Sequence, residues 1–524
     1  MGKKAIGFSL LLVVLLLMCL ASSIVRANFK PAPLPPVRIN GNGEISPSTD
    51  LIQRKGDVYT LTGNWTNCFL QVERSNIVIQ GGGFFIIGNT VGVGVRLLGV
   101  SNVSVYNVNI EKTLIGIDLE KTSKVTIESC SVTVGNDGIY LNQSKSNAVL
   151  SNKLSAFYGI HLDHSGSNIL KNNFIQSSSS YALNFMVAGE SISDYMNDVD
   201  SSNLINGESI IYWVGRQNAV VPPNSSYVAL VNCKAIVVQN QHISKTQGIV
   251  VAWTTNSTIT NNYLYGNFNG IQVLYSTDIM VRGNQIWKNI GLDAGGDGIQ
   301  LSNSQFLAVV NNQVTSNWKG GITCVNSSEN QLIGNVISEN SHNGINLLSS
   351  SDSNLITQNH LFKHDTNSRG AIYIENSRNN NLVLNNLTDN GCWAIQLKGS
   401  QGENTFYGNN FLHNSYRNTK YNPGALQIST PGTSNGNNWD NGSLGNYWSD
   451  YNGSGKYFIN ENNIDHYPLS QQVDINAITP ISTIKTGPAQ ISINPTILAF
   501  LLSAILATLI FSILLYRRHR KTTK

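Results

Sequence analysis

The sequence predicts an all-β solenoid, a parallel β-helix, on three observations. The first is a phrase that returns about every 22 residues: Gly248-Ile249-Val250-Val251, Gly270-Ile271-Gln272-Val273, Gly298-Ile299-Gln300-Leu301, Gly321-Ile322-Thr323-Cys324 and Gly344-Ile345-Asn346-Leu347. Ala then replaces Gly in Ala371-Ile372-Tyr373-Ile374 and Ala394-Ile395-Gln396-Leu397. A fixed period of this size marks a repeat architecture. The second is an Asn ahead of an apolar residue between phrases, as in Asn262-Tyr263-Leu264, Asn284-Gln285-Ile286, Asn312-Gln313-Val314, Asn335-Val336-Ile337 and Asn359-His360-Leu361. The runs are short, alternate apolar with polar residues and end in Asn, Ser or Gly, as strands joined by turns do. The third is that the apolar positions are mostly Ile and Val without helical spacing, which sets aside a leucine-rich repeat. One repeat then makes one coil, about 4.8 Å above the last. Inward Ile, Val and Leu make a continuous core. Asn residues stack in the turns, where their amides bond along the ladder and left-handed backbone is tolerated.

The elements follow in chain order. Lys3 and Lys4 precede an apolar run from Ala5 to Val25, and Val25-Arg26-Ala27 suits cleavage, so residues 1–27 read as a signal peptide. Residues 28–90 form a proline-rich lead-in, Pro31 to Pro36, and an irregular N-terminal cap, as an open solenoid end requires. Residues 91–430 carry the coils. They start with Gly116-Ile117-Asp118-Leu119, Gly138-Ile139-Tyr140-Leu141, Gly159-Ile160-His161-Leu162 and Ala182-Leu183-Asn184-Phe185. The period breaks in an insertion near 186–226, which holds Tyr212-Trp213 and Pro222-Pro223. Residues 431–469 form a C-terminal cap and 470–495 a polar stalk. Residues 496–516 are almost wholly apolar and at 1.5 Å per residue span about 30 Å, a bilayer core. The basic tail 517–524 follows. Positive charge stays in the cytoplasm, which places the body outside it.

Charge and sequons agree with an external body. Without Lys3, Lys4, Arg26 and the five tail cations, 26 basic residues face 30 acidic ones, which argues against a nucleic-acid surface. Glycosylation sequons start at Asn64, Asn102, Asn142, Asn224, Asn256, Asn326, Asn386, Asn441 and Asn452. The five mature cysteines, Cys68, Cys130, Cys233, Cys324 and Cys392, lack metal-like spacing, and Cys324 falls at an inward repeat position.

The repeats, the Tyr212-Trp213 insertion and the ending Asn446-Tyr447-Trp448-Ser449-Asp450-Tyr451, with Ile464-Asp465-His466-Tyr467-Pro468-Leu469, carry a resemblance. Over Val37 to Leu469 the chain resembles the NosD-type right-handed β-helix proteins, with their PbH1, carbohydrate-binding and sugar-hydrolysis repeats, in a membrane-anchored, archaeal-like form. The resemblance implies a right-handed, pectin-lyase-like solenoid and copper or calcium as cofactors. Relatives often carry an acidic loop before the Ile-Asp phrase. Here Asn452-Gly453-Ser454-Gly455-Lys456-Tyr457 supplies no carboxylate for calcium.

Within each phrase the apolar residues point inward, so x is expected to point outward on one long exposed face. That column, with the residues just before each Gly or Ala, offers Tyr140, Tyr158, Asn184, Gln272, Gln300, Tyr373, Trp393 and Gln396 as ligand-binding candidates. Rings cover apolar sugar faces and amides bond hydroxyls, which suits an extended polysaccharide or surface glycan. Acid–base candidates are Asp118, Asp137, His161 and Asp163 on adjacent coils. Asp297 resembles Asp137 but lies several coils, roughly 30 Å, away. Neither the polygalacturonase motifs nor the basic residues of a pectate lyase are present. His161 and His164 are the candidate metal ligands. The expected molecule is therefore a single-pass cell-surface protein that binds or scaffolds extracellular polysaccharide. The alternatives are a polysaccharide hydrolase or lyase, and copper delivery to a membrane-associated enzyme.

Overall fold

Parallel pairing stacks like residues on like. Ile299, Ile322 and Ile345 are in register and fully buried. Leu301, Cys324 and Leu347 form the next inward column, and burial pushes the Cys324 thiol up to about 12. The computed structural model describes residues 36–476, apart from 292–294, 365–369, 392, 400–401, 416–426 and 431–435. The signal peptide, most of the stalk, the apolar span 496–516, the basic tail and Cys392 lie outside these. Among the described residues no helix is long and apolar enough to cross a membrane.

The coils form two solenoid segments that share one sheet. In the first segment each coil gives a strand to sheet A (Pro36–Ile39 to Asn184–Ala188), sheet B (Ile52–Lys55 to Asp198–Val199) and sheet C. The second segment begins at Glu208 and uses sheet C, sheet D (Gln217–Val220 to Thr405–Tyr407) and sheet E (His242–Ser244 to Tyr447–Trp448). Sheet C runs throughout, from Trp65–Thr66 to Ile428–Ser429. The stretch near 186–226 is the joint. Asn206 and Gly207 take left-handed backbone at φ 51° and 94°, and the chain doubles back so that Leu204–Ile205 pairs antiparallel with Glu208–Val214. Strand direction in sheet C reverses there. The Gly-Ile-x phrase consequently lies on sheet A before the joint and on sheet C after it.

At the joint the shared strands are buried on both faces. Tyr227, Ala229, Val231, Val250 and Ala252 pack into the first core, while Val228, Leu230, Ile249 and Val251 pack into the second. Such strands read as continuous apolar runs. The Gln247 amide finishes the last edge of sheet A: its Oε1 accepts from the Val187 N–H at 3.0 Å and its Nε2 donates to the Val187 carbonyl at 2.8 Å.

Amide ladders run through the turns. In the second segment Asn262, Asn284, Asn312, Asn335, Asn359, Asn385, Asn409 and Asn446 are buried, and each Nδ2 up to that of Asn409 donates to the next Oδ1 at 2.9–3.0 Å. The left-handed backbone falls one residue earlier, at Asn261, Gly283 and Asn311, rather than on the ladder Asn itself.

The ends are closed differently. Parallel pairing already runs through 36–90, the stretch expected to be lead-in and cap: Pro36–Ile39 pairs with Phe69–Val72 and Val58–Leu61 with Ile77–Gln80. Antiparallel strands Ile45–Ser46 and Ile52–Lys55 cover these edges. At the far end Trp439 stacks on Phe406, Trp448 on Phe411 and Tyr457 on Trp448, with centroids 4.1–4.4 Å apart. Asp465 accepts from the Trp448 indole at 2.9 Å and the Asn446 N–H at 2.7 Å. The aromatic ending therefore seals the second core.

Candidate functional site

Three successive strands of sheet A, Ile115–Glu120, Asp137–Asn142 and Tyr158–Asp163, align Asp118, Tyr140 and His161 at the x position. The His161 ring lies between two tyrosines, its centroid 4.9 Å from both Tyr140 and Tyr158. Behind it Asp137 holds His161 Nδ1 at 3.1 Å and accepts from Asn136 Nδ2 at 2.7 Å. Tyr140 donates its hydroxyl to Asp163 at 3.1 Å, and Asp163 holds His164 Nδ1 at 2.6 Å. All the acid–base candidates are thus brought together, and Tyr140, Tyr158 and His164 join them.

Arg96 and Glu120 complete the group. Arg96 stands at x one coil before Asp118, and its Nε and Nη2 lie 3.1 Å from Asp118 and 3.4 Å from Glu120. The signal was present in Gly94-Val95-Arg96-Leu97, the repeat phrase with Val in place of Ile. Asp118 and Asp137 are 4% and 5% exposed, so they act from beneath the surface. Burial pushes Asp118 up to about 6, Arg96 opposes this, and Glu120 and Asp137 add to it. Burial, then Asp163, also raises the Tyr140 phenol. The surface offered to a ligand is two tyrosine rings and an imidazole, with the partly exposed Arg96, Glu120 and Asp163 at its edge.

The single exposed column expected from sequence is in fact two faces. Asn184 leaves the column because a register shift after Tyr158 puts Met186 at x; the Asn184 amide donates to Ser177 Oγ and the Lys245 carbonyl. On sheet C, Gln272, Thr323, Asn346 and Tyr373 are 2–6% exposed, and Val250 is fully buried. Gln300, Trp393 and Gln396 keep partial exposure. Val250 is buried against the first core at the joint, whereas Thr323 is covered by the connection that carries Asp297. Asp297 accepts from Thr323 Oγ1 at 2.8 Å and the Gly320 N–H at 2.9 Å. Asn269 donates to Gln300 at 2.9 Å, and Gln247 to Gln272 at 3.0 Å. All nine sequon asparagines keep partial or full exposure.

Fold and site define a right-handed parallel β-helix protein with a polar, ring-lined face. The family model described as "Periplasmic copper-binding protein (NosD)" matches residues 191–370 and 364–453, and that described as "Right handed beta helix region" matches 61–175 and 93–251. The NosD matches cover half of the chain, and the chain belongs to that family. No curated protein matches it in sequence. Among solved structures it is similar to a point mutant of the periplasmic alginate epimerase AlgG, at 14% identity, 78% of this chain, 81% of that one and TM-score 0.30. It is also similar to DFA-IIIase from Arthrobacter chlorophenolicus with DFA-III, at 14%, 61%, 74% and 0.32. The A-module of the mannuronan C-5 epimerase AlgE4 of Azotobacter vinelandii follows, at 12%, 71%, 90% and 0.29. Likeness at this level carries no argument about activity.

The copper implied by the family does not fit the described donors. Copper favours His, Cys and Met. Cys130, Cys233 and Cys324 are buried in the core, and Cys68 packs against it. Among the described residues no three His, Cys, Asp or Glu converge where a metal ion could sit.

Proposed function

We propose that the protein is a glycan-binding β-helix of the outer cell surface, and that its ligand face is sheet A around His161. The observation that carries this reading is the row of three part-exposed rings, Tyr140, His161 and Tyr158, on adjacent coils. Flat rings with polar edges suit pyranose faces and their hydroxyls. Four carboxylates, Asp118, Glu120, Asp137 and Asp163, surround this row with Arg96 among them. That balance favours neutral or amino sugars over uronates, because like charges repel. The apolar run 496–516 and its basic tail support anchoring with the body outside. The test is a glycan array with the full-length protein in detergent. Neutral or amino-sugar chains should bind, and His161→Ala or Tyr140→Ala should weaken them about tenfold. Unchanged binding in both variants would refute the assignment of the face.

One observation favours a second reading, cleavage of the glycan. Asp137 orients the His161 ring as a carboxylate orients a general base, and burial pushes Asp118, on the neighbouring coil, up to about 6. New reducing ends in the polysaccharide, lost in Asp137→Asn, would replace binding by catalysis. Removing such a group costs about 10²–10⁴-fold in rate. A binding contact of the same residue is worth only about 1 kcal/mol.

A further inference from the structure

On the second segment sheet E carries a ring cluster of opposite electrostatic character. Its strands His242–Ser244, Tyr263–Tyr265 and Gln285–Trp287 stack in register. Tyr263 and Tyr265 flank the inward Leu264 and are each 42% exposed. The Trp287 ring meets both, with centroids 4.5 Å from Tyr263 and 5.5 Å from Tyr265. His242 stacks on Tyr263 at 5.4 Å. The core does not need these rings, since Ile243, Leu264 and Ile286 already fill it.

The cluster is bordered by cations. Lys245 and Lys288 occupy the same turn position two coils apart, and Lys288 Nζ lies 5.9 Å from the centre of the Tyr265 ring. Arg282 is exposed at the end of the preceding sheet D strand, Thr277–Arg282, separated from Gln285 by two residues. Residues 239–245, 260–266 and 281–290 contain no Asp or Glu.

We propose that this aromatic and basic face of sheet E is a second carbohydrate site, one for an acidic polysaccharide bearing carboxylate or sulfate. Charge complementarity selects the occupant: rings take the apolar faces of the sugars, and the three cations take the anionic groups. The site does not depend on the sheet A assignment, lies on another sheet and has the opposite charge preference.

The experiment titrates the full-length protein in detergent with polygalacturonate, heparin, dextran and a single-stranded oligothymidylate. Polygalacturonate or heparin, each reporting one anionic group, should bind in a salt-dependent manner. Trp287→Ala should weaken that binding about tenfold, and Lys245→Gln with Lys288→Gln should weaken it several-fold and flatten the salt dependence. Tyr140→Ala should leave it unchanged. Tyr265→Ser, at a more exposed ring, serves as the second variant if Trp287→Ala melts early. Three outcomes overturn the proposal: dextran binding as tightly as the acidic chains, acidic-chain affinity unmoved by the Trp287 and Tyr265 variants, or oligothymidylate outcompeting both acidic glycans.

Discussion

In the first solenoid segment four residues separate Thr133 from Gly138 of the phrase, and two separate Ala156 from Gly159. In the second, five separate Thr315 from Gly321, five separate Ser338 from Gly344, and ten separate Trp287 from Gly298. These connections precede the same Gly-Ile-x-apolar phrase. Where they are short, Tyr140 and His161 stay at the surface. Where they are longer, Asp297 on one of them lies against Thr323, and Thr323 and Asn346 are buried. Exposure of x is therefore set by the length of the preceding turn, because a longer turn has the reach to lay backbone and polar side chains over the strand. The exposed ring-lined faces accordingly lie on sheet A in the first segment and on sheet E in the second.

The largest expected effect tests what the two segments share, the inward column. Ile322→Asp places a carboxylate between Ile299 and Ile345, with no partner in reach. An unpaired buried charge costs several kcal/mol. The melting temperature should collapse or split, leaving only first-segment structure, whereas Tyr140→Ala on the open face should melt close to the parent. Equal melting of Ile322→Asp and the parent, followed by circular dichroism, would mean that the strand facing is reversed.

A second test sets the segments against each other by pH. His364 replaces an amide in the second segment beside Asn340 and Asn390. It is buried, its Nε2 lies 3.2 Å from the Ile337 carbonyl, its Nδ1 has no partner among the described residues, and burial holds it down to about 4. Between the ordinary 6.5 and 4 the unfolded chain takes the proton and the folded one does not, so stability falls as pH falls, by up to about 3 kcal/mol. Asp118 in the first segment has the opposite sign. Its folded value, about 6, exceeds the ordinary 3.8, so stability is lost as pH rises between them. The loss is smaller, because the Arg96 guanidinium 3.1 Å away favours the charged carboxylate and opposes the rise that burial causes. Melts at pH 4.5 and 7 should show His364→Asn gaining most at the lower pH and Asp118→Asn gaining only at the higher. The same ranking of both variants at both pH values would break the contrast.

Much of this was legible in the sequence. The phrase specified the coil, the inward column and the adjacency of Asp118, Asp137, Tyr140 and His161, because a 22-residue period places residues one coil apart whatever the turns do. The joint was visible only as a break. Its sign was Val250, an apolar residue at x, where burial on both faces leaves no polar position. Arg96 was missed because Val95 stands where the phrase has Ile. Reversal of sheet C at Asn206-Gly207 was not legible: an Asn-Gly pair marks a tight turn, but the phrase reads alike on either sheet.

The smallest effect tests the covering connections directly. Thr323 Oγ1 donates to Asp297 at 2.8 Å and accepts from Asn346 Nδ2 at 3.0 Å, all beneath the surface. Thr323→Val keeps the shape and removes both bonds. Asp297 keeps the Gly320 N–H, but the Asn346 amide loses its partner, and a buried polar group left unpaired costs about 1–3 kcal/mol. The matching change in the first segment is Tyr140→Phe, which removes the bond to Asp163. Asp163 is partly exposed and turns to water instead, so that change should stay within about 0.5 kcal/mol. If the two substitutions cost the same in urea melts, Thr323 is open to water and the connections do not cover sheet C. A Thr323→Val cost of 1 kcal/mol or more beside a silent Tyr140→Phe would establish that turn length separates the closed sheet from the open one.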